Sequence, residues 1–222
     1  MSRHPSDCYL TPGCAAFALR RWLLSAEADV DLAPWLDPFA GAGTLLEWGA
    51  PLAYERFAFE LDRRWSAELV ARVGPMNVRI GRDSLAMPWL VRGSLSAPHV
   101  ITNPPFGRTL EAIGRAQSHA RVHGRWACVL MRTDWWQHPN RSHLRPDRML
   151  FLEWRPAFGL NKKGQLSTDY AGYVWCVWSP EPADETRVEF LQRPEIPDEM
   201  RAEHRRLARV AHEMGREMAQ GA

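Results

Sequence analysis

Short apolar runs alternate along the chain with longer stretches in which apolar residues recur every three or four positions. The short runs predict buried strands, and the longer stretches predict amphipathic helices. The predicted strands cover residues 35–39, 57–62, 77–81, 98–101, 126–131, 149–154 and 169–178. The predicted helices cover residues 15–24, 45–48, 63–73, 108–122 and 195–219. This alternation predicts an α/β protein with a mostly parallel sheet and helices on both of its faces.

The loop after the fourth predicted strand carries the chain's most distinctive chemistry. The strand stops at Asn103, because the next two residues, Pro104 and Pro105, cannot donate to a sheet ladder. Ligands of open α/β sheets bind at this carboxyl edge. The Asn103 amide oxygen and the Pro104 carbonyl could accept two hydrogen bonds from one NH2 group, and the Phe106 ring could stack on a flat base. The alternative is a proline-rich turn with a packed phenylalanine.

A glycine turn lies between the first predicted strand and a short helix. Its sequence is Asp37-Pro38-Phe39-Ala40-Gly41-Ala42-Gly43-Thr44. The glycines let a ligand approach the backbone closely, and the helix that follows offers free N–H groups. Leu46 replaces the third glycine of the dinucleotide pattern, which favours a nucleoside ligand over a pyrophosphate. Glu60 follows Gly41 by 19 residues, a distance at which an acid commonly accepts the ribose hydroxyls of an adenosine cofactor.

These motifs resemble two known patterns. Asn-Pro-Pro-Phe resembles the catalytic motif of S-adenosylmethionine-dependent methyltransferases that act on adenine N6, and Asp-Pro-Phe-x-Gly-x-Gly-Thr resembles the cofactor motif of class I methyltransferases. The resemblance covers roughly residues 9–178. It implies a Rossmann-like fold with a seven-stranded, mostly parallel sheet and a terminal β-hairpin. It also implies S-adenosylmethionine as the cofactor and a catalytic role for Asn103, Pro104, Pro105 and Phe106.

The same resemblance implies a set of cofactor-binding residues. Thr11 and Pro12 would contact the methionine end of the cofactor, Asp37 would lie near its amino-acid end, and Asp83 would meet its adenine. The full set is Thr11, Pro12, Asp37, Phe39, Gly41, Gly43, Thr44, Glu60, Asp83 and Ser84.

A later segment, residues 155–175, resembles small phage-type adenine methylases through Arg-Pro-x-Phe, a basic loop and Asp-Tyr-Ala-x-x-Val-Trp. In that pattern the phenylalanine lies on the far side of the target base, which implies this place for Phe158; a packed core ring is the alternative. Lys162, Lys163 and Arg108 complete the predicted substrate-binding set.

The charge distribution along the chain indicates a nucleic-acid partner. Residues 1–102 hold 10 Arg and 11 acidic residues, a net charge of −1. Residues 103–180 hold 11 Arg plus Lys and 5 acidic residues, a net charge of +6, whereas residues 181–222 hold 7 Arg and 10 acidic residues, a net charge of −3. A basic segment that starts at the proposed catalytic loop is typical of a phosphate-backbone partner. The resemblance to adenine methylases favours DNA as this partner, with RNA as the alternative. A solvated Arg-rich surface is the alternative.

Composition sets further expectations. No apolar run approaches the roughly 18 residues of a membrane span, which predicts no membrane association. The four cysteines form no Cys-x-x-Cys pair and the eight histidines show no ligand spacing, so we expect no metal and a reducing, cytoplasmic location. Residues 1–180 are predicted to form the catalytic domain and residues 181–222 a C-terminal strand and helix. That helix could pack on the domain, form a homodimer or contact a partner.

Four functions are compatible with these motifs. The first is a DNA adenine-N6 methyltransferase, and the second is an RNA methyltransferase with the same chemistry. The third is a protein glutamine methyltransferase, whose substrate also presents an NH2 group; the basic segment favours nucleic acid over it. The fourth is a cofactor-binding subunit without turnover, which the intact Asn-Pro-Pro-Phe motif disfavours.

Overall fold

The computed structural model describes residues 10–26, 30, 33–50, 55–91, 96–161, 163–168 and 170–220. The helices are α1 Gly13–Ala26, α2 Thr44–Trp48, α3 Ser66–Val73, α4 Thr109–His123 and α5 Asp198–Gln220. The strands are β1 Trp35–Asp37, β2 Arg56–Glu60, β3 Val78–Ile80, β4 His99–Thr102, β5 Ala127–Arg132, β6 Arg148–Leu152, β7 Ala157–Leu160, β8 Leu166–Thr168, β9 Tyr173–Trp178 and β10 Arg187–Leu191.

Eight strands form one twisted sheet in the order β10-β6-β9-β5-β4-β1-β2-β3. Among these described strands β9 alone runs antiparallel, and it lies between β5 and β6. The mostly parallel sheet is therefore confirmed, but the predicted count of seven strands is wrong. The eighth strand is β10, which pairs in parallel with β6 at the edge of the sheet. Strand β10 has one neighbour and is largely exposed, even at Val188 and Phe190. It therefore does not need the continuous apolar run of a buried central strand, which is the pattern that predicts a strand from sequence.

The basic loop that follows Phe158 contains the turn of a small hairpin, whose two strands the sequence did not predict. Strands β7 and β8 pair in a separate two-stranded sheet. The Asn161 side-chain oxygen accepts hydrogen bonds from the backbone N–H groups of Lys163 at 2.9 Å and Gln165 at 3.1 Å, which closes the turn. In the sequence, this hairpin connects β6 to β9. Strands β6 and β9 are antiparallel neighbours in the large sheet, as the predicted terminal β-hairpin requires.

Two apolar clusters cover the two faces of the large sheet. Along β9, Trp175 and Val177 join one cluster, whereas Val174, Cys176 and Trp178 join the other. This alternation follows from the two-residue period of a strand. Residues of α1, α2, α3 and α5 belong to the first cluster, and residues of α4 belong to the second. The prediction of helices on both faces is confirmed.

Helix α5 carries an apolar stripe, which consists in the sequence of Met200, Leu207, Val210, Met214 and Met218, and the helix packs on its own chain. Met200 and Leu207 are each 1% exposed, and Val210 and Met214 pack against the first cluster. The stripe's last member, Met218, has a side chain outside the described residues. Of the three uses that the sequence left open for this helix, the structure shows packing on the domain and gives a homodimer no support, because the stripe that would mediate it covers the sheet of the same chain. The division of the chain at residue 180 stays a prediction.

Polar contacts also hold α5 in place. Glu203 accepts a hydrogen bond from Trp48 Nε1 at 2.9 Å and pairs with Arg72. Arg206 pairs with Glu68 at 2.5 Å. Within the described ranges, no helix is long and apolar enough to cross a membrane.

Candidate active site

The predicted site residues follow strands whose carboxyl ends meet at one edge of the sheet. Strand β1 pairs in parallel with β2 on one side and with β4 on the other. Asp37 ends β1, Glu60 ends β2 and Asn103 directly follows β4. Side chains 23 to 66 residues apart in sequence are therefore placed side by side.

Asp37 is a buried acid at the centre of this edge, and it is 1% exposed. Its Oδ1 atom accepts hydrogen bonds from Thr102 Oγ1 at 2.8 Å and from the Phe39 backbone N–H at 3.0 Å. Its Oδ2 atom has no hydrogen-bond partner among the residues that the structure describes. Burial raises the pKa of Asp37 to about 7, although the two hydrogen bonds oppose the shift. A buried carboxylate oxygen without a partner is suited to a cationic ligand group.

The glycine turn needs glycine for its backbone conformation. Gly41 and Gly43 have φ angles of 52° and 84°, in the left-handed region that other residues avoid. A Cβ atom on Gly41 would meet nothing within 4 Å, so open space adjoins this part of the loop. A Cβ atom on Gly43 would lie 2.9 Å from Arg72 Cδ. Gly41 thus faces a cavity, whereas Gly43 allows the turn to pack on α3.

Glu60 holds the glycine turn against the end of β2. Its two carboxylate oxygens accept hydrogen bonds from the backbone N–H groups of Gly41 at 2.6 Å and Asp62 at 2.7 Å. Burial raises the pKa of Glu60, while these two bonds oppose the shift. The 19-residue spacing that led to Glu60 in the sequence therefore corresponds to a direct contact. Its role toward a ribose stays a prediction.

Asp83 lies in the loop after β3 and is held from two sides. It accepts a hydrogen bond from the Leu85 N–H at 3.0 Å and forms an ion pair with Arg108 at 3.1 Å. The Arg108 guanidinium holds the pKa of Asp83 below its usual range. The adjacent Ser84 is buried, and its hydroxyl has no partner within the described part of the chain. Arg108, predicted as a substrate contact, is in this structure bound to Asp83 and Glu111.

The proline loop is fixed at both of its ends. At its start, Asn103 Nδ2 donates a hydrogen bond to Thr11 Oγ1 at 3.0 Å. At its end, the Thr109 hydroxyl donates to the carbonyls of Pro105 and Phe106, each at 3.2 Å. The Asn103 amide therefore has its NH2 group turned toward Thr11, which leaves its carbonyl oxygen as an acceptor.

Phe106 has a cationic neighbour that the sequence did not indicate. The Arg132 guanidinium lies over the Phe106 ring, 6.0 Å from its centroid. Arg132 ends β5, the strand next to β4, so both side chains lie at the carboxyl edge. The place of Arg132 at the end of a strand is the signal that could have identified it.

A cavity of about 230 Å³ runs along this edge. Its lining residues include Phe39, Gly41, Glu60, Asp62, Arg82, Asp83, Ser84, Asn103, Pro104, Pro105, Phe106 and Arg108. A smaller cavity adjoins it and is lined by residues that include Thr11, Asp37, Phe39, Gly41, Thr44 and Asn103. Phe39, Gly41 and Asn103 line both cavities. The structure thus brings the proline loop, the glycine turn and the three acids into one continuous site.

Some predicted site residues lie elsewhere. Phe158 is 8% exposed and packs against Tyr173 with ring centroids 4.4 Å apart, so it takes the core position that was the alternative. Pro12 leads into α1, where its carbonyl accepts a hydrogen bond from Ala15. Lys163 is exposed in the turn between β7 and β8. Lys162 lies outside the described residues.

Several of the basic side chains of residues 103–180 are engaged with other groups of the same chain. Arg115 binds the carbonyls of Leu85 and Met87, and Arg145 binds the Asp184 carbonyl. Two other arginines form ion pairs, Arg121 with Asp147 at 2.8 Å and Arg148 with Glu189 at 3.2 Å. The net charge of this segment therefore overstates the free positive charge near the proline loop. The described residues contain no group of three or more side chains suited to hold a metal ion.

The fold is similar to those of several solved structures. A candidate class I S-adenosylmethionine-dependent methyltransferase from Listeria monocytogenes matches with a TM-score of 0.58 and 13% identity, over 91% of this chain and 70% of that one. This chain has the class I methyltransferase fold. A candidate RNA methyltransferase from Pyrococcus horikoshii shares the methyltransferase fold with a TM-score of 0.54 and 19% identity, over 77% of this chain and 85% of that one.

A methyltransferase subunit of a type I restriction-modification system from Streptococcus thermophilus also shares the methyltransferase fold. Its TM-score is 0.54 at 12% identity, and the match covers 91% of this chain. This chain spans about half of that subunit, 53% of its length. No protein-family model matches the sequence, and a search of curated proteins finds no significant match.

Proposed function

We propose that the protein is an S-adenosylmethionine-dependent methyltransferase that modifies adenine N6 in DNA. The observation that carries this proposal is the position of Asn103-Pro104-Pro105-Phe106. This loop lines the same cavity as the glycine turn and Glu60, in a class I methyltransferase fold. A proline-rich turn with a purely structural role would not require an amide acceptor and an aromatic ring at the wall of that cavity.

The residues of the two cavities fit this cofactor. Asp37 Oδ2 and Thr44 Oγ1 are buried acceptors without partners in the described residues, and both belong to residues that line the smaller cavity. They would hold the ammonium group of the cofactor's methionine end. Glu60 lines the larger cavity and would accept the ribose hydroxyls. Asp83 and Ser84 lie further along the same wall, where an adenine ring would need polar partners.

The proline loop would hold the acceptor base. When bound, S-adenosylmethionine supplies an electrophilic methyl group. The Asn103 amide oxygen and the Pro104 carbonyl would accept hydrogen bonds from the adenine NH2 group, which favours a tetrahedral nitrogen with an available lone pair. Phe106 would stack on the base and replace the stacking that the base loses when it leaves a duplex. These contributions are positioning and electrostatic stabilisation.

RNA is the second candidate substrate. Its support is the fold that this chain shares, over 77% of its length, with the candidate RNA methyltransferase from Pyrococcus horikoshii. DNA is placed first because the sequence of residues 155–175 resembles that of small phage-type adenine methylases.

Transfer of tritium from labelled S-adenosylmethionine separates these substrates. Purified protein is incubated with duplex DNA, single-stranded DNA, RNA and a protein extract, and each polymer is digested and its modified residue identified. The expected product is N6-methyl-2′-deoxyadenosine. Label in N6-methyladenosine would establish the RNA function instead. Label in methylglutamine, or in none of the polymers, would overturn the proposed function.

A further inference from the structure

Helix α5 presents a row of basic side chains on its exposed face. Its members are four, four, three and four residues apart: Arg201, Arg205, Arg209, His212 and Arg216. At 100° per residue this spacing confines all five to less than a quarter of the helix circumference. All five side chains are exposed. We call these residues the α5 basic row; it extends for about 22 Å at 1.5 Å per residue.

Of the acidic residues on α5, Asp198 shares the angular range of the row, whereas Glu199, Glu203, Glu213 and Glu217 lie outside it. Glu203 faces the domain and pairs with Arg72, and Glu189 on β10 binds Arg148. Glu213 and Glu217 lie on the flank of the helix that also carries Arg206. Asp198, at the start of the row, is 4.0 Å from Arg201 and has a fully exposed side chain, so this ion pair is weak. The net charge of −3 for residues 181–222 therefore conceals a positively charged outer face.

The two ends of α5 are attached beside the candidate active site. Near its start, Met200 packs so closely on Gly13 that a Cβ atom there would lie 2.7 Å from Met200 Cγ. Gly13 is two residues from Thr11, which binds Asn103. Near its end, the Met214 carbonyl accepts a hydrogen bond from Arg64 at 3.1 Å, and Arg64 binds Asp62, a residue of the cavity wall. The helix thus runs alongside the site.

We propose that the α5 basic row binds the phosphate backbone of the nucleic acid whose base enters the site. This inference rests on the proposed nucleic-acid substrate and adds a surface to it. The row matches a phosphate backbone in charge, and its length corresponds to about six phosphates at 3.4 Å along one strand of DNA. The inward face of α5 is already buried against the domain, so the row is the face on which this helix can bind a partner.

The test compares two double variants that remove the same charge. Arg205→Gln with Arg209→Gln alters the centre of the row, and glutamine keeps the helix propensity of arginine. Arg21→Gln with Arg187→Gln alters two exposed arginines on α1 and β10 as a control. Affinity for a fluorescein-labelled 20-base-pair DNA duplex, its single strand and an RNA of the same sequence is measured between 50 and 300 mM NaCl. Circular dichroism verifies that each variant is folded.

The expected result is a change in the slope of log affinity against log salt concentration. Loss of two phosphate contacts should flatten the slope by about 1.8 for duplex DNA, or by about 1.4 for a single strand, in the row variant alone. The proposal would be overturned if the slope of the row variant is unchanged, or if the control variant changes it equally. It would also be overturned if the wild-type protein binds none of the three probes.

Methyl transfer, measured in parallel, separates this inference from the proposed function. A slope that depends on the row supports the surface even if no methyl group is transferred, and in that case the proposed function alone fails. If the wild-type protein transfers methyl groups to DNA but the salt slope of the row variant is unchanged, the inferred binding surface is wrong and the proposed function stands.

Discussion

Asn103 donates a hydrogen bond from Nδ2 to Thr11 Oγ1 at 3.0 Å, which joins the loop after β4 to the residues that precede α1. The two positions are 92 residues apart in sequence. Because the amide NH2 group is engaged with Thr11, the carbonyl oxygen of Asn103 is the atom that remains for a ligand. Both residues line the smaller cavity, together with Asp37. Thr11 is therefore placed to orient Asn103, a role distinct from the cofactor contact that sequence resemblance implies for it.

Thr11→Val should lower the methyl-transfer rate by roughly tenfold, because loss of one hydrogen bond of about 1–1.5 kcal/mol lets the Asn103 amide rotate. Thr11→Ser keeps the hydroxyl and should restore the rate. The measurement is single-turnover methyl transfer, combined with calorimetric titration of S-adenosylmethionine. An unchanged rate with weaker cofactor binding in Thr11→Val would assign Thr11 to the cofactor and not to Asn103.

Asn103→Ala should lower turnover by about 10²–10³, the usual cost of a lost transition-state hydrogen bond. Cofactor affinity should be unchanged, because the amide oxygen is expected to face the acceptor base. Asn103→Asp keeps an acceptor and is the matched control, for which we expect partial activity. Single-turnover transfer to an adenine-containing duplex gives the rate. Wild-type transfer by Asn103→Ala on every substrate would make the loop a structural turn and would contradict the assigned chemistry.

Much of the sheet and of its carboxyl edge could be predicted because the responsible signals are local. A buried parallel strand is a continuous apolar run, as in residues 126–131, and the structure has β5 at Ala127–Arg132. The segment from Gly41, just after β1, to Glu60, the last residue of β2, is one turn-helix-strand unit, which places both residues at neighbouring strand ends. Their 2.6 Å hydrogen bond follows from this topology.

Other features depend on relationships that the linear sequence does not show. Net charge along a segment cannot distinguish the faces of a helix, so the basic row of α5 was averaged with Glu203 and its other acids. Phe158 carries the residue type of a stacking ring, but only its packing on Tyr173 determines where that ring lies. The contact of Phe106 with Arg132 joins the loop after β4 to the end of β5, and the two residues are 26 positions apart in sequence.

Asp37 should make the stability of the cofactor-free protein depend on pH. Its pKa is about 7 in the folded chain, against about 3.9 when unfolded. Between these values the folded state binds more protons than the unfolded state, so stability decreases as pH rises from about 4 to 7, by on the order of 2–4 kcal/mol. Asp37→Asn should remove this decrease. Urea unfolding at pH 5 and pH 8 provides the comparison.

The control for this pH effect is Asp184→Asn, which removes an exposed carboxylate. It should reproduce the wild-type pH dependence. If the difference in unfolding free energy between wild type and Asp37→Asn is the same at pH 5 and pH 8, Asp37 is ionised throughout this range and does not contribute.

Glu60→Ala should weaken S-adenosylmethionine binding by roughly 1–3 kcal/mol, the value of a charge-assisted hydrogen bond. It also removes the acceptor that holds the Gly41 N–H. Glu60→Gln separates the two effects, because one amide oxygen can still hold the turn while the charge is lost. Calorimetry should place Glu60→Gln between wild type and Glu60→Ala. Equal affinities in all three proteins would remove Glu60 from the cofactor site.

Phe106→Ala should weaken productive binding of the target base by roughly 1–3 kcal/mol through lost stacking. Phe106→Tyr keeps an aromatic face and should bind as wild type, whereas Phe106→Leu keeps apolar bulk without that face and should resemble Phe106→Ala. Arg132→Met removes the guanidinium 6.0 Å from the ring and should have a smaller effect, because Thr109 still fixes the loop.

The measurement for these Phe106 and Arg132 variants is single-turnover transfer at increasing concentrations of a duplex and of the same duplex with the target adenine mismatched. Stacking predicts that the loss in Phe106→Ala persists on the mismatched duplex, where the cost of extruding the base is already reduced. Equal binding by Phe106→Leu and wild type on both duplexes would show that the ring contributes only its volume.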